Sequence, residues 1–183
     1  EQFWHLFTKF DIKSRISRDE TVKGHGIMIK KAKKSEDSGD YIEAFVFYKS
    51  AKSDKDVERI EKKLIENNIP TLGICLGAQI IGIAGNTNTY KLKYGHRGQN
   101  KPCINLENNH VYVTSQNHGY GITPESLEKS DFNLWFTNAD DKTVEGIKHK
   151  KQNCIAVQFH PEAAPGPYDC KFIFEELKHL MEK

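Results

Sequence analysis

Residues 71–85 read TLGICLGAQIIGIAG, and they join a short apolar segment to a longer one through a cysteine with a glycine two positions away on each side. Thr71–Ile74 has the length of a short buried strand, and Leu76–Ala84 is apolar at helical length. We therefore expect Cys75 to lie on the turn between a strand and a helix. Two interpretations of this cysteine are open: a nucleophile displayed on a tight turn, or an ordinary buried cysteine beside a helix.

The segments around this turn alternate between strand and helix patterns. Residues 42–48 are β-branched and aromatic, as in a strand, and residues 54–67 have the apolar spacing of a helix. The second half predicts strands with hairpin-like connections at 89–94, 110–114, 134–137, 143–148 and 154–159, and a closing amphipathic helix at 169–181. These patterns predict one α/β domain over residues 1–183, with an open, mostly parallel sheet and an antiparallel extension. The active site of such a sheet lies at the carboxyl ends of its parallel strands.

The composition indicates a globular protein. The chain has 183 residues, of which 37% are hydrophobic and 28% are charged. Its formal net charge of +2 is too small to indicate a nucleic-acid-binding protein. No run approaches the roughly 20 apolar residues of a membrane span. We therefore expect neither nucleic acid nor a membrane as a partner. The sequence begins with Glu1 rather than Met, which predicts either a piece of a longer chain or a chain that has been trimmed.

The cysteines argue against a metal centre and against disulfides. They are widely spaced and form no CxxC pair: Cys75, Cys103, Cys154 and Cys170. Neither a zinc site nor a disulfide framework is therefore predicted. This usage favours a reducing, cytoplasmic setting.

A Gly-x-Cys-x-Gly turn between a strand and a helix suits a nucleophile for mechanical reasons. Gly73 and Gly77 permit a turn too tight for residues with side chains. The N-terminus of the following helix would point at the sulfur, where its dipole favours the thiolate and its N–H groups can face an oxyanion. The alternative is a pair of glycines that let a helix pack closely on a strand beside a buried cysteine.

A nucleophilic cysteine needs a base, and His160 is the best placed histidine in the chain. The apolar stretch 155–159 would deliver it to a turn made by Pro161, and Glu162 lies where it could orient the ring. The alternative is a surface turn that carries an unrelated histidine and glutamate. We call the Gly-x-Cys-x-Gly turn at residues 73–77 the elbow. The elbow and the His-Pro-Glu turn each follow a predicted strand, and together they favour a Cys75–His160–Glu162 triad.

These motifs resemble those of a known family. GICLG at 73–77 with Gln79, followed by HPE at 160–162, resembles the class I glutamine amidotransferases. The segments similar to the amidotransferase domain of carbamoyl-phosphate synthetase are TYKLKYGHRGQNKP (89–102), VTSQNHGYGI (113–122) and LWFTNADDKTVEGIKH (134–149). The resemblance is ungapped from about residue 42 to the C-terminus and weak over the first forty residues. It implies a flavodoxin-like mixed sheet with helices on both faces.

The resemblance implies a glutaminase reaction. Cys75 would attack the side-chain amide of glutamine, His160 would transfer protons and Glu162 would orient His160. The products would be a glutamyl thioester, then glutamate, with ammonia passed to a synthetase. The residues implied to bind the substrate, the first through an oxyanion-hole N–H, are Leu76, Gln79, Asn117, Gly119 and Tyr120.

Several of these positions have a second interpretation. From the residues alone, Gln79 could be polar helix surface, and residues 117–119 could form a turn. His96 and Arg97 are interpreted as structural rather than catalytic. The role of His118 stays open.

One loop departs from the family pattern. The family has a glycine-rich Ser-Asn-Gly-Pro-Gly-Asp-Pro loop where this chain reads YKSAKSD at 48–54, so Ser50 and Lys52 stand where two glycines are expected. A lysine at positive φ would be strained, and its side chain could crowd the pocket. Losing one oxyanion donor costs on the order of 10²–10³ in rate. Two hypotheses follow: a glutaminase of carbamoyl-phosphate synthetase, or a weakened or inactive domain that docks on a synthetase and regulates it.

No ATP-binding motif of the G-x-x-x-x-G-K-[ST] type occurs in the sequence. The resemblance implies that this domain uses no cofactor. ATP, Mg²⁺ and bicarbonate would belong to the synthetase, either a large subunit or domains fused to this one. The resemblance is compatible with a synthetase of pyrimidine synthesis and with one of arginine synthesis. A third hypothesis, an amidotransferase that serves another synthase, is disfavoured by residues 114–120.

Overall fold

The computed structural model describes residues 21–41, 44, 48, 53–164 and 166–182 of the chain. Their strands are β1 (Thr71–Ile74), β2 (Thr89–Asn105), β3 (Val111–Ile122), β4 (Phe132–Asn138), β5 (Val144–His149) and β6 (Cys154–Val157). Their helices are α1 (Thr21–Asp37), α2 (Asp54–Glu66), α3 (Leu76–Ala84), α4 (Pro124–Leu127) and α5 (Phe172–Met181). Within these described ranges, none of the helices is both long and apolar enough to cross a membrane. The chain divides into two compact units, residues 1–60 and 61–183, with the boundary inside α2.

The first unit contributes helical segments. Besides α1, the residues Tyr41, Ala44 and Tyr48 are helical, and the side chains of Ala44 and Tyr48 are fully buried. The expected strand at 42–48 is therefore wrong at these described positions. Ala44 and Tyr48 are four residues apart, which places both on one face of a helix. The other residues of that segment lie outside the described part.

Helix α2 confirms the helix that the spacing of apolar residues predicts at 54–67. Val57, Ile60, Leu64 and Ile65 are all buried, as expected for one face of an amphipathic helix. The helix ends at Glu66, one residue before the predicted end, and Asn68 adopts a positive φ of 54° just beyond it.

The second unit is built on a six-stranded sheet in the order β1-β6-β5-β3-β2-β4. β4 also pairs with β5, so that β5, β3, β2 and β4 close into an antiparallel barrel. The β1–β6 pair is the one parallel pairing among the described strands. The expectation of a mostly parallel sheet is therefore wrong for this part of the chain. Short hairpin connections such as the one between β2 and β3 force antiparallel neighbours, and they dominate here.

Helices cover both faces of strand β6. Ala156 lies in an apolar cluster with Ile81 of α3. Its neighbour Val157 lies in another cluster with Ile173 of α5. Successive side chains of a strand point to opposite faces, so α3 and α5 pack on opposite sides of the sheet. The expectation of helices on both faces holds at this strand.

The parallel pair defines the edge at which the proposed site lies. β1 and β6 are in register with Ile74 opposite Val157, so their carboxyl ends reach the same edge of the sheet. The segments that follow them carry Cys75 and His160. The predicted bounds of β1 and α3 are confirmed to the residue.

Candidate active site

Cys75 lies on a strained turn between β1 and α3. Its backbone has φ 55° and ψ −107°, a conformation that residues with side chains seldom adopt. Its N–H donates to the carbonyl of Val157 at 2.9 Å, and its own carbonyl accepts from the N–H of Ala78 at 3.1 Å. Cys75 is partly exposed, whereas the other three cysteines are buried. This favours the displayed nucleophile over the buried cysteine.

The two glycines of the elbow have different physical roles. A Cβ on Gly73 would lie 2.6 Å from Ile81 Cδ1 and 2.8 Å from the carbonyl oxygen of Gly77, so a side chain is excluded there by the close approach of α3. A Cβ on Gly77 would meet nothing within 4 Å. Packing within the protein therefore requires a glycine at position 73 but not at position 77. Gly77 leaves open space in the first turn of α3.

His160 is fixed by its backbone and by Glu162. Its N–H donates to the carbonyl of Ser115 on β3 at 2.8 Å, and its Nδ1 lies 2.7 Å from Glu162 Oε1. With Nδ1–H donating to the carboxylate, Nε2 is left for the thiol. Hydrogen bonding to Cys75, and then to Glu162, raises the pKa of His160 to about 10 against the opposing effect of burial. The structure thus brings together the three residues predicted to form a triad.

Four of the five predicted substrate-binding residues lie around the turn that carries Cys75. The side-chain Nε2 of Gln79 donates to the carbonyl of Tyr120 at 3.2 Å, and the carbonyl of Asn117 lies 3.9 Å from Cys75 Sγ. Leu76 and Tyr120 are large apolar residues that stay about half exposed here. Such exposure is expected where a ligand or a partner covers the surface.

Residues 117–119 belong to strand β3, so their interpretation as a turn is wrong. Asn117 pairs with Arg97 and His118 with His96 across the β2–β3 ladder. A Cβ on Gly119 would meet only Arg97 Nη2, at 3.8 Å. Steric crowding by the protein therefore does not require a glycine at 119. Ser50 and Lys52 lie outside the described residues, and the divergent-loop prediction stays a prediction.

Beneath strand β3 lies a buried ionic cluster that the sequence patterns did not predict. His96 Nδ1 is 2.9 Å from Glu145 Oε1, and His96 Nε2 is 2.8 Å from Asp141 Oδ2. Glu145 is fully buried, and His118 Nε2 lies 3.7 Å from its Oε1. Because both nitrogens of His96 face carboxylates, both donate, and the ring is an imidazolium. The hydrogen bond to Glu145 raises the pKa of His96 accordingly.

A bulge in β2 aims His96 at this cluster. The β2–β3 register shifts between Lys91 and His96, and Gly95 there has a φ of 67°. A Cβ on Gly95 would lie 2.7 Å from the carbonyl oxygen of His118, so only glycine allows this approach. The structural interpretation of His96 is consistent with these contacts.

Within the described residues, His96, His118 and Glu145 are also the one trio whose ligand atoms could share a metal ion, lying within 4.8 Å of one another. Carboxylates already occupy both nitrogens of His96, and His118 Nδ1 lies 2.8 Å from the carbonyl oxygen of Tyr120. The cluster works as a buried ion network. A glutamate inside the apolar stretch 144–147 is the sequence signal that could have revealed it.

The amino-acid sequence matches a known family over most of its length. Residues 48–180 match the family described as glutamine amidotransferase class-I. The carbamoyl phosphate synthase small chain of Pyrococcus furiosus is 49% identical over 128 residues, which cover 70% of this chain and 34% of that protein. The protein of the same name from Methanocaldococcus jannaschii is 47% identical over 129 residues, or 70% and 36% of the two chains. An arginine-specific small chain from Halalkalibacterium halodurans is 46% identical over 127 residues, or 67% and 35%. The chain thus spans about a third of the length of these relatives.

Solved structures share the fold. A putative GMP synthase protein from Thermoplasma acidophilum superposes with a TM-score of 0.58 at 26% identity, covering 69% of this chain and 65% of that one. A glutamine amidotransferase from Thermotoga maritima gives a TM-score of 0.52 at 21% identity, covering 70% and 55%. These neighbours identify an α/β fold of the amidotransferase type.

Proposed function

Because the chain belongs to the class-I glutamine amidotransferase family, we propose that it hydrolyses glutamine to glutamate and ammonia as part of a carbamoyl-phosphate synthase. One observation carries the proposal: Cys75 is displayed on a strained elbow next to His160, whose ring is held by Glu162 at 2.7 Å. The names of the relatives that are 49% and 47% identical support carbamoyl-phosphate synthase over another synthase.

The chemistry follows from the positions of these three side chains. The Cys75 thiolate attacks the amide carbon of glutamine, a C–S bond forms, and the carbonyl π electrons move to oxygen. The His160 imidazolium donates its proton to the amide nitrogen, the C–N bond breaks, and ammonia leaves. Water then attacks the thioester while His160 takes its proton, the C–S bond breaks, and glutamate is released. Glu162 keeps the ring in the orientation that serves both transfers.

The oxyanion faces the start of α3. The first N–H groups of a helix have no acceptor within the helix, so the N–H of Leu76 is available to the developing negative charge. Gln79 and the strand residues Asn117, Gly119 and Tyr120 would bind the rest of the substrate. The open space at Gly77 is on the same turn.

The wider assignments belong to the same proposal. Ammonia would pass to a synthetase, a large subunit or fused domains, that binds ATP, Mg²⁺ and bicarbonate, while this domain uses no cofactor. The parallel pairing of β1 with β6 supports a place for both strands in a flavodoxin-like sheet. Four free cysteines support a cytoplasmic protein, and both pyrimidine and arginine synthesis fit.

Glutamate release from glutamine tests the proposal. We expect release by the full chain that disappears in Cys75→Ser and persists in Cys170→Ala, which changes a buried cysteine elsewhere. The assay is run with the chain alone and with a synthetase large subunit. No release in either condition contradicts the proposal and favours the regulatory docking domain that Ser50 and Lys52 suggest. A gain of activity in the Ser50→Gly, Lys52→Gly double variant would show that the divergent loop limits the rate.

A further inference from the structure

Gln158 lies beneath the proposed site, and none of the chemistry above uses it. It follows strand β6 and precedes His160 by two residues, and only 2% of it is exposed. Its backbone N–H donates to the carbonyl of Glu145 at 2.8 Å, which fixes its position. Its side-chain Oε1 accepts a hydrogen bond from Nε2 of Gln79 at 3.1 Å.

These contacts determine which way the Gln79 amide faces. The carbonyl of Tyr120 can only accept, so the amide nitrogen of Gln79, and not its oxygen, must lie against it at 3.2 Å. The carbonyl is itself held, because His118 Nδ1 also lies 2.8 Å from it. The second N–H of Gln79 goes to Gln158. The amide oxygen of Gln79 is then the atom left to meet a ligand.

Packing alone does not explain an amide at position 158. In the described part of the chain, Nε2 of Gln158 is buried and has no hydrogen-bond partner. A buried amide with an unpaired N–H is less favourable than an apolar side chain of the same size. The useful atom of this side chain is therefore its oxygen, which accepts from Gln79.

We propose that Gln158 is a positioning residue for substrate recognition: it holds Gln79 with the amide oxygen toward the site, so that the site selects ligands with a hydrogen-bond donor there. Glutamine has two donors, its side-chain amide and its α-ammonium group. In the proposed reaction the amide nitrogen faces His160, which protonates it, so the α-ammonium group is the donor left for Gln79. The site would thus take the free amino acid and discriminate against the same amide without an α-ammonium. This inference rests on the proposed function for the identity of the ligand.

Binding to a chain that cannot turn over provides the test. In a Cys75→Ser background, calorimetry measures the Kd of L-glutamine and of 4-carbamoylbutanoate, which is glutamine without its α-ammonium. We expect Gln158→Met to weaken glutamine binding about tenfold, the effect of one lost hydrogen bond to a buried group, and to leave 4-carbamoylbutanoate unchanged. Gln158→Glu, which keeps an acceptor for Gln79, should retain most of the affinity. Gln152→Met, a partly buried glutamine outside the site, serves as the control.

A double-mutant cycle separates positioning from structural damage. If Gln158 acts through Gln79, the Gln79→Met, Gln158→Met double variant binds glutamine no more weakly than Gln79→Met alone. Additive losses, or equal losses for both ligands, would overturn the inference. Unchanged glutamine binding in Gln158→Met would overturn it while leaving the proposed function intact. Glutamine binding without hydrolysis by the chain with Cys75 would contradict the proposed function alone, and no glutamine binding at all would overturn both.

Discussion

The N–H of Cys75 donates to the carbonyl of Val157 at 2.9 Å, which joins the proposed nucleophile to the strand that leads to His160. The two residues are 82 positions apart in numbering, yet β1 and β6 are parallel neighbours in register. The backbone pairing of β1 with β6 therefore fixes the distance between the two chain segments that carry the thiol and the imidazole, independently of the side-chain conformations. Changes that move the elbow by a fraction of an ångström should act on catalysis more than on folding.

Gly73 and Gly77 should respond differently to the same substitution. In Gly73→Ala the new methyl meets Ile81 Cδ1 at 2.6 Å and the Gly77 carbonyl at 2.8 Å, so α3 must shift away from β1. We expect the free energy of unfolding to fall by about 1–3 kcal/mol and glutaminase kcat/KM to fall at least about a hundredfold. Urea unfolding and glutamate release measure the two effects.

Gly77→Ala is the matched control, since its methyl meets nothing within 4 Å. We expect its unfolding free energy to be no lower than that of the parent chain, because alanine is the better helix residue. Its KM for glutamine should rise if the open space at Gly77 is where the substrate passes. Equal destabilisation by both substitutions would show that the elbow does not depend on the contact at Gly73.

The backbone strain at Cys75 should be measurable in inactive variants. Cys75→Gly removes the side chain from a residue at φ 55°, whereas Cys75→Ser keeps it. We expect the glycine variant to have the higher unfolding free energy, by about 1 kcal/mol, although glycine loses more chain entropy on folding. Both variants should lack glutaminase activity. A serine variant at least as stable as the glycine variant would mean that the turn stores no strain.

The sequence predicted the elements of the site better than the pairing of the sheet. β1 and α3 have the expected bounds because a continuous apolar run and two glycines mark the strand, the turn and the helix locally. The prediction of a strand at 42–48 was wrong because Ala44 and Tyr48 are helical and buried, four residues apart on one face. In a short apolar segment, the spacing of apolar residues does not distinguish a buried helix from a buried strand.

Long-range partners explain what local patterns could not predict. His96 reaches Glu145 only because a bulge in β2 turns it inward, and Gln158 meets Gln79 across 79 positions of sequence. Both contacts depend on strand register, which no single segment encodes. The closure of β5 onto β4 to form the barrel depends on register in the same way.

The buried cluster should contribute to stability within a defined pH range. Burial opposes ionisation of Glu145, but the nearby His118 ring, 3.7 Å away, and the hydrogen bond from His96 outweigh it and hold the pKa of Glu145 below the ordinary 4.5. The ionised Glu145 carboxylate contributes to the free energy of unfolding above about pH 4.5, and this contribution is lost as the pH falls through the lowered pKa. The hydrogen bond to Glu145 raises the pKa of His96 above 6.5, so its contribution is complete below that pH and is lost as pH rises through the raised value.

Glu145→Gln should therefore destabilise the chain most between about pH 4.5 and 6.5, by about 3–5 kcal/mol as for a broken buried ion pair. Asp141→Asn is the control, because Asp141 pairs with the same ring from a half-exposed position. Its effect should stay within about 1 kcal/mol. Urea unfolding from pH 4 to 9 measures both variants, and similar losses in the two would contradict the assignment of Glu145 as the buried partner.

The protonation of His160 should depend on both of its neighbours. Hydrogen bonds to Cys75 and then to Glu162 raise the pKa of His160 from 6.5 to about 10. Removing either neighbour should lower it, so we expect a lower pKa in Cys75→Ser and in Glu162→Gln. NMR titration of the imidazole, assigned with His160→Asn, measures the change. Glu175→Gln removes an exposed carboxylate on α5 and should leave the His160 pKa where it is.

The same shift predicts the pH dependence of stability and of turnover. A pKa raised above its unfolded value gives stability that is complete below about pH 6.5 and lost as pH rises toward 10. The parent chain should lose more unfolding free energy than Glu162→Gln across that interval. Ammonia leaves only when the imidazolium supplies its proton, so the alkaline limb of the kcat profile should move to lower pH in Glu162→Gln. An alkaline limb at the same pH in both proteins would mean that His160 does not protonate the leaving group.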